Sequence, residues 1–549
     1  MLPTEVYNAC VYVPLALFFA LGCYTGLRFR EENKKLEDFL GAVRSQSALT
    51  LGINFFAASV GTWILTTLPD VATIAGLQGL IVYVIACVAP ILLLSVLGPI
   101  IRRKNPDGFT LNQFIYKRFG RVEHLFVSII TIIYMAALLI GELSAAYQVF
   151  DMLTGINPLP VVIVVVILTS IYIAVGGFRA SLMTDSFQGW IILALVIIGA
   201  ITAGTSVKVT HENIVANPWV TQQTKIGWEL LYILPAAVTG ANLFHQGFWQ
   251  RTFASRTDRD LLYAVVIGVT LMLPVLFLVG FTGILAAWAG VFPGPDPENP
   301  VPGYLTFFAL FKLLPDWVVA MIVVLAASLM CCSVDTLQSA LISTLSSDLF
   351  SNRVPLLGVR VICVVINVPI VILALKNVDL LQVFLVADLL ACATIPPVML
   401  GLSDRLFFLN GEDALIGGLG GLFSVFIFGW AYLGDALSGI RLLILPNGLY
   451  ADNEEVLGAF LAAPVGAIVF CFISFGVRQA VRVLWSRVQG KPYEFPKNPA
   501  HLSMTLPRSD VGADPLSTHE GHYGACADEE RAMNSKLAAE EGKKDVLPN

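Results

Sequence analysis

Four carboxylates stand in stretches too apolar to welcome them. Glu142, Asp185, Asp335 and Asp388 each fall within or beside a long hydrophobic run, Asp388 in LVADLLA with apolar neighbours on every side. A carboxylate at membrane depth is costly unless it is paired, protonated or facing water, so each of the four is a candidate for ion coupling. Asp335 and Asp388 have the surroundings expected of a proton carrier. The plainer roles remain open: a hydrogen bond between helices for these two, the N-cap of a following helix for Asp185, and contact with water near a helix end for Glu142. A second polar set consists of Ser59, Thr62 and Trp63 on one stretch and Asn242, His245 and Gln246 on another. Hydroxyl, amide, imidazole and indole groups with no Lys or Arg among them suit a small neutral or zwitterionic solute better than a polyanion. Trp63 and His245 would serve equally well in packing.

The elements that must present these groups are two interrupted apolar segments. Leu49 to Pro69 reads LTLGINFFAASVGTWILTTLP, with small and polar residues, Ala57 to Thr62, where a lipid-facing helix would carry Leu and Ile. Gly227 to Arg251 is punctuated by Pro235, Gly240, Asn242, His245 and Gly247. Broken membrane helices expose backbone carbonyls and helix-end dipoles at mid-membrane, and a corresponding pair of them marks a transporter's binding site. Small residues also let intact helices pack closely, so either segment alone is ambiguous.

The chain has 549 residues, of which 56% are hydrophobic and 13% charged, and a mean hydropathy of +0.77. Thirteen apolar windows are long enough to cross a ~30 Å hydrocarbon core, near 9–29, 47–68, 78–101, 125–150, 159–175, 187–204, 227–248, 262–286, 317–345, 359–375, 380–402, 415–433 and 456–484. An N-terminus outside places 28 of the 33 Lys and Arg in inner loops and the tail, and leaves Lys208, Lys225, Lys312, Lys376 and Arg441 outside. That bias predicts an extracellular N-terminus and a cytosolic C-terminus. The first window lacks a basic stretch ahead of it and a small-residue cleavage site, which argues against a cleaved signal. Of the nine cysteines, eight lie in apolar segments, so no disulfide or zinc framework is expected. From Ser486 the composition turns to Pro, Ser, Asp, Glu and Lys, which predicts a disordered cytosolic tail for 486–549 with room for trafficking factors. With no nucleophile–base pair, phosphate loop or metal cluster in view, neither an enzyme, a cofactor nor a nucleic-acid partner is expected; the partners are a small solute and the lipid bilayer.

The connection Gly176-Gly177-Phe178-Arg179-Ala180 to Thr184-Asp185-Ser186-Phe187-Gln188 resembles the GG-x-x-A-x-x-x-T-D-x-x-Q signature of the solute:sodium symporter family. DFLGAVRS from Asp38, TWILTTLP from Thr62 and NLFHQGFWQRTFAS from Asn242 resemble other motifs of the family, and the run from His245 to Trp249 leans toward the urea symporters of fungi and plants. The resemblance covers residues ~10 to 485. It implies an all-α polytopic protein with a LeuT-type core of five plus five helices in an inverted repeat. Its parts would be a peripheral helix and inner loop in 1–46, the first repeat in 47–204, the second in 205–402, and two peripheral helices in 403–485. It implies a plasma-membrane symporter working by alternating access, with urea the first expectation and proline, another small amino acid, a polyamine or a sugar the alternatives. A transporter-like sensor or an uncoupled facilitator is the reading from another class. It also implies a cation site built from backbone carbonyls at Ala57, Val60 and Ser328 and two hydroxyls, at whose positions this chain carries Cys331 and Cys332. Thiols are soft, weak ligands for Na⁺, so the coupling ion is H⁺ or Na⁺, with Asp335 one turn past Cys331 to supply oxygen or take a proton. Asp185, as part of the signature, would ligate a second cation or form an inner gate with Arg179.

Overall fold

The apolar windows fold as helices, and no strand forms among the described residues of this computed structural model. It describes residues 3–495 apart from 32–35, 107, 109, 156, 295–297, 351–352, 377–378, 450–452, 491 and 494. In order, the helices are α1 (Thr4–Arg28), α2 (Leu36–Gly41), α3 (Ala48–Ser59), α4 (Ile64–Lys104), α5 (Leu111–Phe119), α6 (Arg121–Thr154) and α7 (Leu159–Ser206). There follow α8 (His211–Ala216), α9 (Lys225–Asn242), α10 (Gln246–Ala254), α11 (Asp258–Trp288), α12 (Thr306–Phe311) and α13 (Asp316–Thr344). The last are α14 (Leu356–Val365), α15 (Asn367–Ala374), α16 (Leu380–Leu400), α17 (Gly411–Leu433), α18 (Ala436–Arg441) and α19 (Glu454–Val488).

Ten helical stretches among the described residues are long and apolar enough to cross a membrane, against thirteen apolar windows in the sequence. Two of the three missing spans have one structural origin, and the third, 227–248, is the segment that divides into α9 and α10. Helix α4 has 41 residues and α7 has 48, about 60–70 Å if straight and roughly twice the hydrocarbon thickness. Each is interrupted at a glycine in the left-handed region, Gly76 (φ 61°) and Gly177 (φ 60°). A side chain would fail there on two counts. The conformation disfavours a Cβ, and the Cβ would lie 2.5 Å from the Val220 carbonyl oxygen at Gly76 and 2.4 Å from that of Phe39 at Gly177. The segment Phe178 to Asp185, which lies between the windows 159–175 and 187–204, is helical, because Gly177 makes the turn alone and the chain resumes the helix at once.

Both interrupted segments are broken. The first divides into α3 and α4, with Val60 to Trp63 between them, and the second into α9 and α10, with Leu243 to His245 between them. Pro235, which also punctuates the second, is absorbed inside α9. The broken pieces lie at the centre of the packing: α3 rests on α11 and α7, α13 lies between α7 and α6, and α9 packs on α4 and α16. Helices α1, α17 and α19 flank this core, α1 against α7 and α13, α17 and α19 against each other and α16. Helix α5 is started by the Thr110 hydroxyl, which accepts from Gln113 N–H at 3.2 Å. Helix α19 continues through Val488, three residues into the expected tail. Residues 496–549 of the expected disordered tail lie outside the described residues.

Candidate functional site

At the first break the chain leaves the helix over Val60 to Trp63; the Val60 N–H still reaches the Ala57 carbonyl at 3.3 Å, but the Thr62 and Trp63 amides find no local acceptor and no N-cap side chain answers them. The answer comes from α6. Glu142 accepts from the Thr62 N–H at 2.5 Å, from the Trp63 N–H at 3.4 Å and from the Thr62 hydroxyl. A carboxylate at a helix N-terminus satisfies orphan donors and complements the helix dipole. Glu142 is 1% exposed, so it caps a helix rather than meeting water at a helix end. At the second break the chain closes on itself: Trp249 Nε1–H donates to the Leu243 carbonyl at 2.6 Å and Phe244 N–H to that of Ala241 at 2.8 Å.

Both breaks open onto one cavity. The first break contributes Ser59 and Trp63, the second Asn242 and His245, and α6 and α16 contribute Glu142 and Asp388. Aromatic rings of Tyr83, Tyr134, Phe248 and Phe384 complete much of the wall, and no Lys or Arg lines it among the described residues. Among the described residues the His245 Nδ1 atom on the wall has no hydrogen-bond partner, on a residue 5% exposed, and the Ser333 side chain, 6% exposed, lies beside Glu142. The His245 ring stacks on Phe248 with centroids 4.2 Å apart. Asp388 makes no hydrogen bond or ion pair among the described residues and keeps its lone pairs for the cavity. Of the other residues expected here, Thr62 turns to Glu142, and Gln246 is buried with its amide donating to Asn112 Oδ1 at 3.2 Å.

A second cluster lies where α3, α7, α10 and α13 meet. The Cys332 thiol sits 3.2 Å from the Ala57 carbonyl oxygen and 3.2 Å from Asp185 Oδ1. Asp335 accepts from Tyr172 at 2.5 Å, Thr184 at 2.9 Å and Ser181 at 3.3 Å, and Cys331 Sγ lies 3.8 Å from the Tyr172 hydroxyl. Asp185 forms a fully buried ion pair with Arg251 of α10 rather than the gate with Arg179. Because α7 is continuous past Gly177, Asp185 lies within the helix and is not an N-cap. Val60 and Ser328 are both fully buried, the Ser328 hydroxyl donating to its own helix at Val324.

A separate recess lies one helical turn beyond Trp63, with an empty volume of about 1020 Å³ and Thr66, Thr67, Asp70, Asp151, Asp379 and Tyr304 in its wall. Thr66 and Thr67 both donate to the Trp63 carbonyl, at 2.9 and 3.0 Å. These acids and the ring residues Tyr83, Tyr134 and Phe384 escaped the sequence reading. A Tyr or Phe in an apolar run looks like core, and the signal available was only that Asp70 follows a Pro inside such a run.

Comparison with known proteins agrees with this architecture. The sequence model of the sodium:solute symporter family matches residues 39–421. A Candida albicans protein named spermidine transporter DUR31 is 41% identical over 495 residues, covering 90% of this chain and 93% of its own. The probable urea active transporter 1 of Schizosaccharomyces pombe is 26% identical over 252 residues, 42% of this chain and 37% of its own. Among solved structures, a substrate-bound, outward-open Na⁺-coupled sialic acid symporter superposes with a TM-score of 0.65 at 15% identity, over 84% of this chain and 98% of that one. That likeness shows the LeuT-type helical fold. On the family match and the long relative together, this chain belongs to the sodium:solute symporter family, a multi-pass membrane protein of a transporter family and not an enzyme.

Proposed function

We propose that the chain takes up a protonated polyamine of the spermidine kind, by alternating access around the cavity between the two breaks. The observation that carries this reading is the charge of that cavity: Glu142 and Asp388 stand among five aromatic rings, Trp63 included, with no Lys or Arg lining it among the described residues. Ammonium groups are held by carboxylates and by aromatic faces. Asp70, Asp151 and Asp379 extend the same sign into the neighbouring recess. The name of the Candida albicans relative points the same way. Urea is the second reading, favoured by the Schizosaccharomyces pombe relative and by the neutral groups of Ser59 and Asn242, but a neutral solute would give the two carboxylates no counter-charge. The orientation from charge bias, N-terminus outside and tail in the cytosol, makes the recess beside Thr66 the outer vestibule of a plasma-membrane importer.

The coupling ion in this reading is H⁺. A thiol points at the Ala57 carbonyl where a Na⁺ site would want a hydroxyl oxygen, and Asp335 is a buried carboxyl, held by bonds from three hydroxyl groups, that can itself take up and release the proton. Sodium is the runner-up, supported by the family and by the Na⁺-coupled structural relative. Uptake of labelled spermidine and labelled urea into cells lacking their own carriers separates the solutes; spermidine should accumulate against its gradient and urea should not. That accumulation should survive replacement of Na⁺ by choline and collapse with a protonophore. Strict Na⁺ dependence overturns the coupling assignment, and equilibration without accumulation makes the protein a facilitator. The double change Cys331→Ser with Cys332→Thr should introduce a Na⁺ stimulation that the parent lacks.

A further inference from the structure

The Glu142 carboxylate belongs to two structures at once. It caps the helix leaving the first break, and it lines the cavity that the solute enters. Its two oxygens are unequally used: Oε1 takes the bonds from the Thr62 N–H and hydroxyl, whereas Oε2 takes a longer one, 3.4 Å, from Trp63 N–H, and the Ser333 hydroxyl also approaches the carboxylate. The space it occupies exists because residue 61 is glycine. A Cβ there would stand 2.5 Å from Oε2 and 2.8 Å from Cδ and Oε1.

What the carboxylate caps is a short rod. From Ile64 the helix runs only to the second interruption at Ala75 and Gly76, so this piece is bounded by a non-helical point at each end. Its sides bear Thr66, Thr67 and Asp70 of the vestibule wall. The far end is set by the backbone of Gly76 against Val220; the near end is held by hydrogen bonds to another helix, which a competing charge can weaken.

We propose that Glu142 is the latch of this rod, a positioning residue through which the charge of a bound ammonium group reaches the outer half-helix. An ammonium ion in the cavity draws on the same carboxylate as the Thr62 and Trp63 amides, so its arrival loosens the cap and lets the rod turn about Gly76. A neutral solute of the same size leaves the cap in place. The inference rests on the polyamine reading, and it adds that charge is sensed by the gate as well as bound by the cavity.

The test uses the full chain at the cell surface with Thr67→Cys as a reporter, since Thr67 is buried in the vestibule wall at 2% exposure. Labelling by a membrane-impermeant maleimide is followed with and without spermidine, alongside labelled spermidine uptake. In the parent reporter, spermidine should shift the labelling rate severalfold. Glu142→Gln and Gly61→Ala should each raise the rate without spermidine and remove its response to spermidine, although Gly61→Ala retains the charge. Thr62→Val, which deletes one donor and leaves the backbone bonds, should raise the resting rate by a smaller factor and keep the response. Only surface protein is labelled, so a variant that misfolds does not enter the comparison, and Thr62→Val carries the test if the stronger changes do not reach the surface. A wild-type spermidine response in Glu142→Gln or Gly61→Ala, or an unchanged resting rate in Thr62→Val, overturns the latch. Absence of spermidine uptake by the unsubstituted protein overturns the polyamine reading instead.

Discussion

At the first break, between Ser59 and Ile64, the unmet amides are taken by Glu142, 80 residues away on α6. At the second, between Asn242 and Gln246, the indole of Trp249 reaches back six residues to the Leu243 carbonyl, and His245 stacks on Phe248 three residues on. Two openings onto one cavity are thus held by different means. A closure made within one stretch moves with that stretch. A closure made across helices is a contact that other charges can influence, which fits the first break for response and the second for support. Beyond the second break α10 is anchored further, by Arg251 on Asp185, by Gln250 on the Leu40 carbonyl at 2.8 Å and by Gln246 on Asn112.

The strongest way to break the contrast is to remove the anchor. Arg251→Met leaves Asp185 as a buried carboxylate without its cation, and loss of one partner of a buried pair costs about 3–5 kcal/mol. Melting of the detergent-solubilised protein should fall sharply and surface expression with it. Adding Asp185→Asn should recover part of the loss, because it removes the stranded charge. An unchanged melting curve for Arg251→Met would mean that α10 is not fixed by this pair.

A smaller effect, on binding and not on stability, is expected at Asp388. It shares the cavity with Glu142 but caps nothing. Removing a charged hydrogen-bond partner of an ammonium group costs about 1.5–3 kcal/mol, so Asp388→Asn should raise the KM for spermidine by roughly ten- to a hundredfold. Melting should hold or rise, since an uncompensated buried charge is gone. The maleimide response at Thr67→Cys should persist once spermidine is raised to saturation. If that response vanishes as it does in Glu142→Gln, the two carboxylates act as one unit and the distinction between binding and latching fails.

How much of this was legible in the sequence follows from what kind of signal each feature leaves. The breaks were legible because small residues and glycine interrupt long apolar runs, and Ser59, Trp63, Asn242 and His245 do line one cavity. The partners were not. Nothing in the order of residues says that Glu142 would reach Thr62, or that Asp185 would choose Arg251 over Arg179 six residues before it, because those choices depend on which helices pack side by side. The polar set Ser59 to Gln246 favoured a neutral or zwitterionic solute; the cavity is acidic because α6 and α16 bring Glu142 and Asp388 into it from outside that set. The helix count differed for a related reason: Gly76 and Gly177 each turn the chain at a single residue, so hydropathy sees two windows where one long helix is interrupted.

The finest test of the contrast is Trp249→Phe. The ring is fully buried, and phenylalanine keeps most of its apolar contact while losing the N–H that meets the Leu243 carbonyl at 2.6 Å. A buried acceptor left without its donor costs about 1–3 kcal/mol, with a further cavity contribution from the smaller ring. If the second break is a support closed on itself, that cost appears in the native state as a whole and lowers the melting temperature. The KM for spermidine should stay within about twofold, since the Asn242 and His245 side chains remain on the wall and a shift that small is worth under ~0.5 kcal/mol. The spermidine response of Thr67→Cys should be untouched, because no bond of Trp249 reaches the first break. A variant that melts normally but loses the labelling response would reverse the assignment, making the second break the responsive one and Glu142 the support.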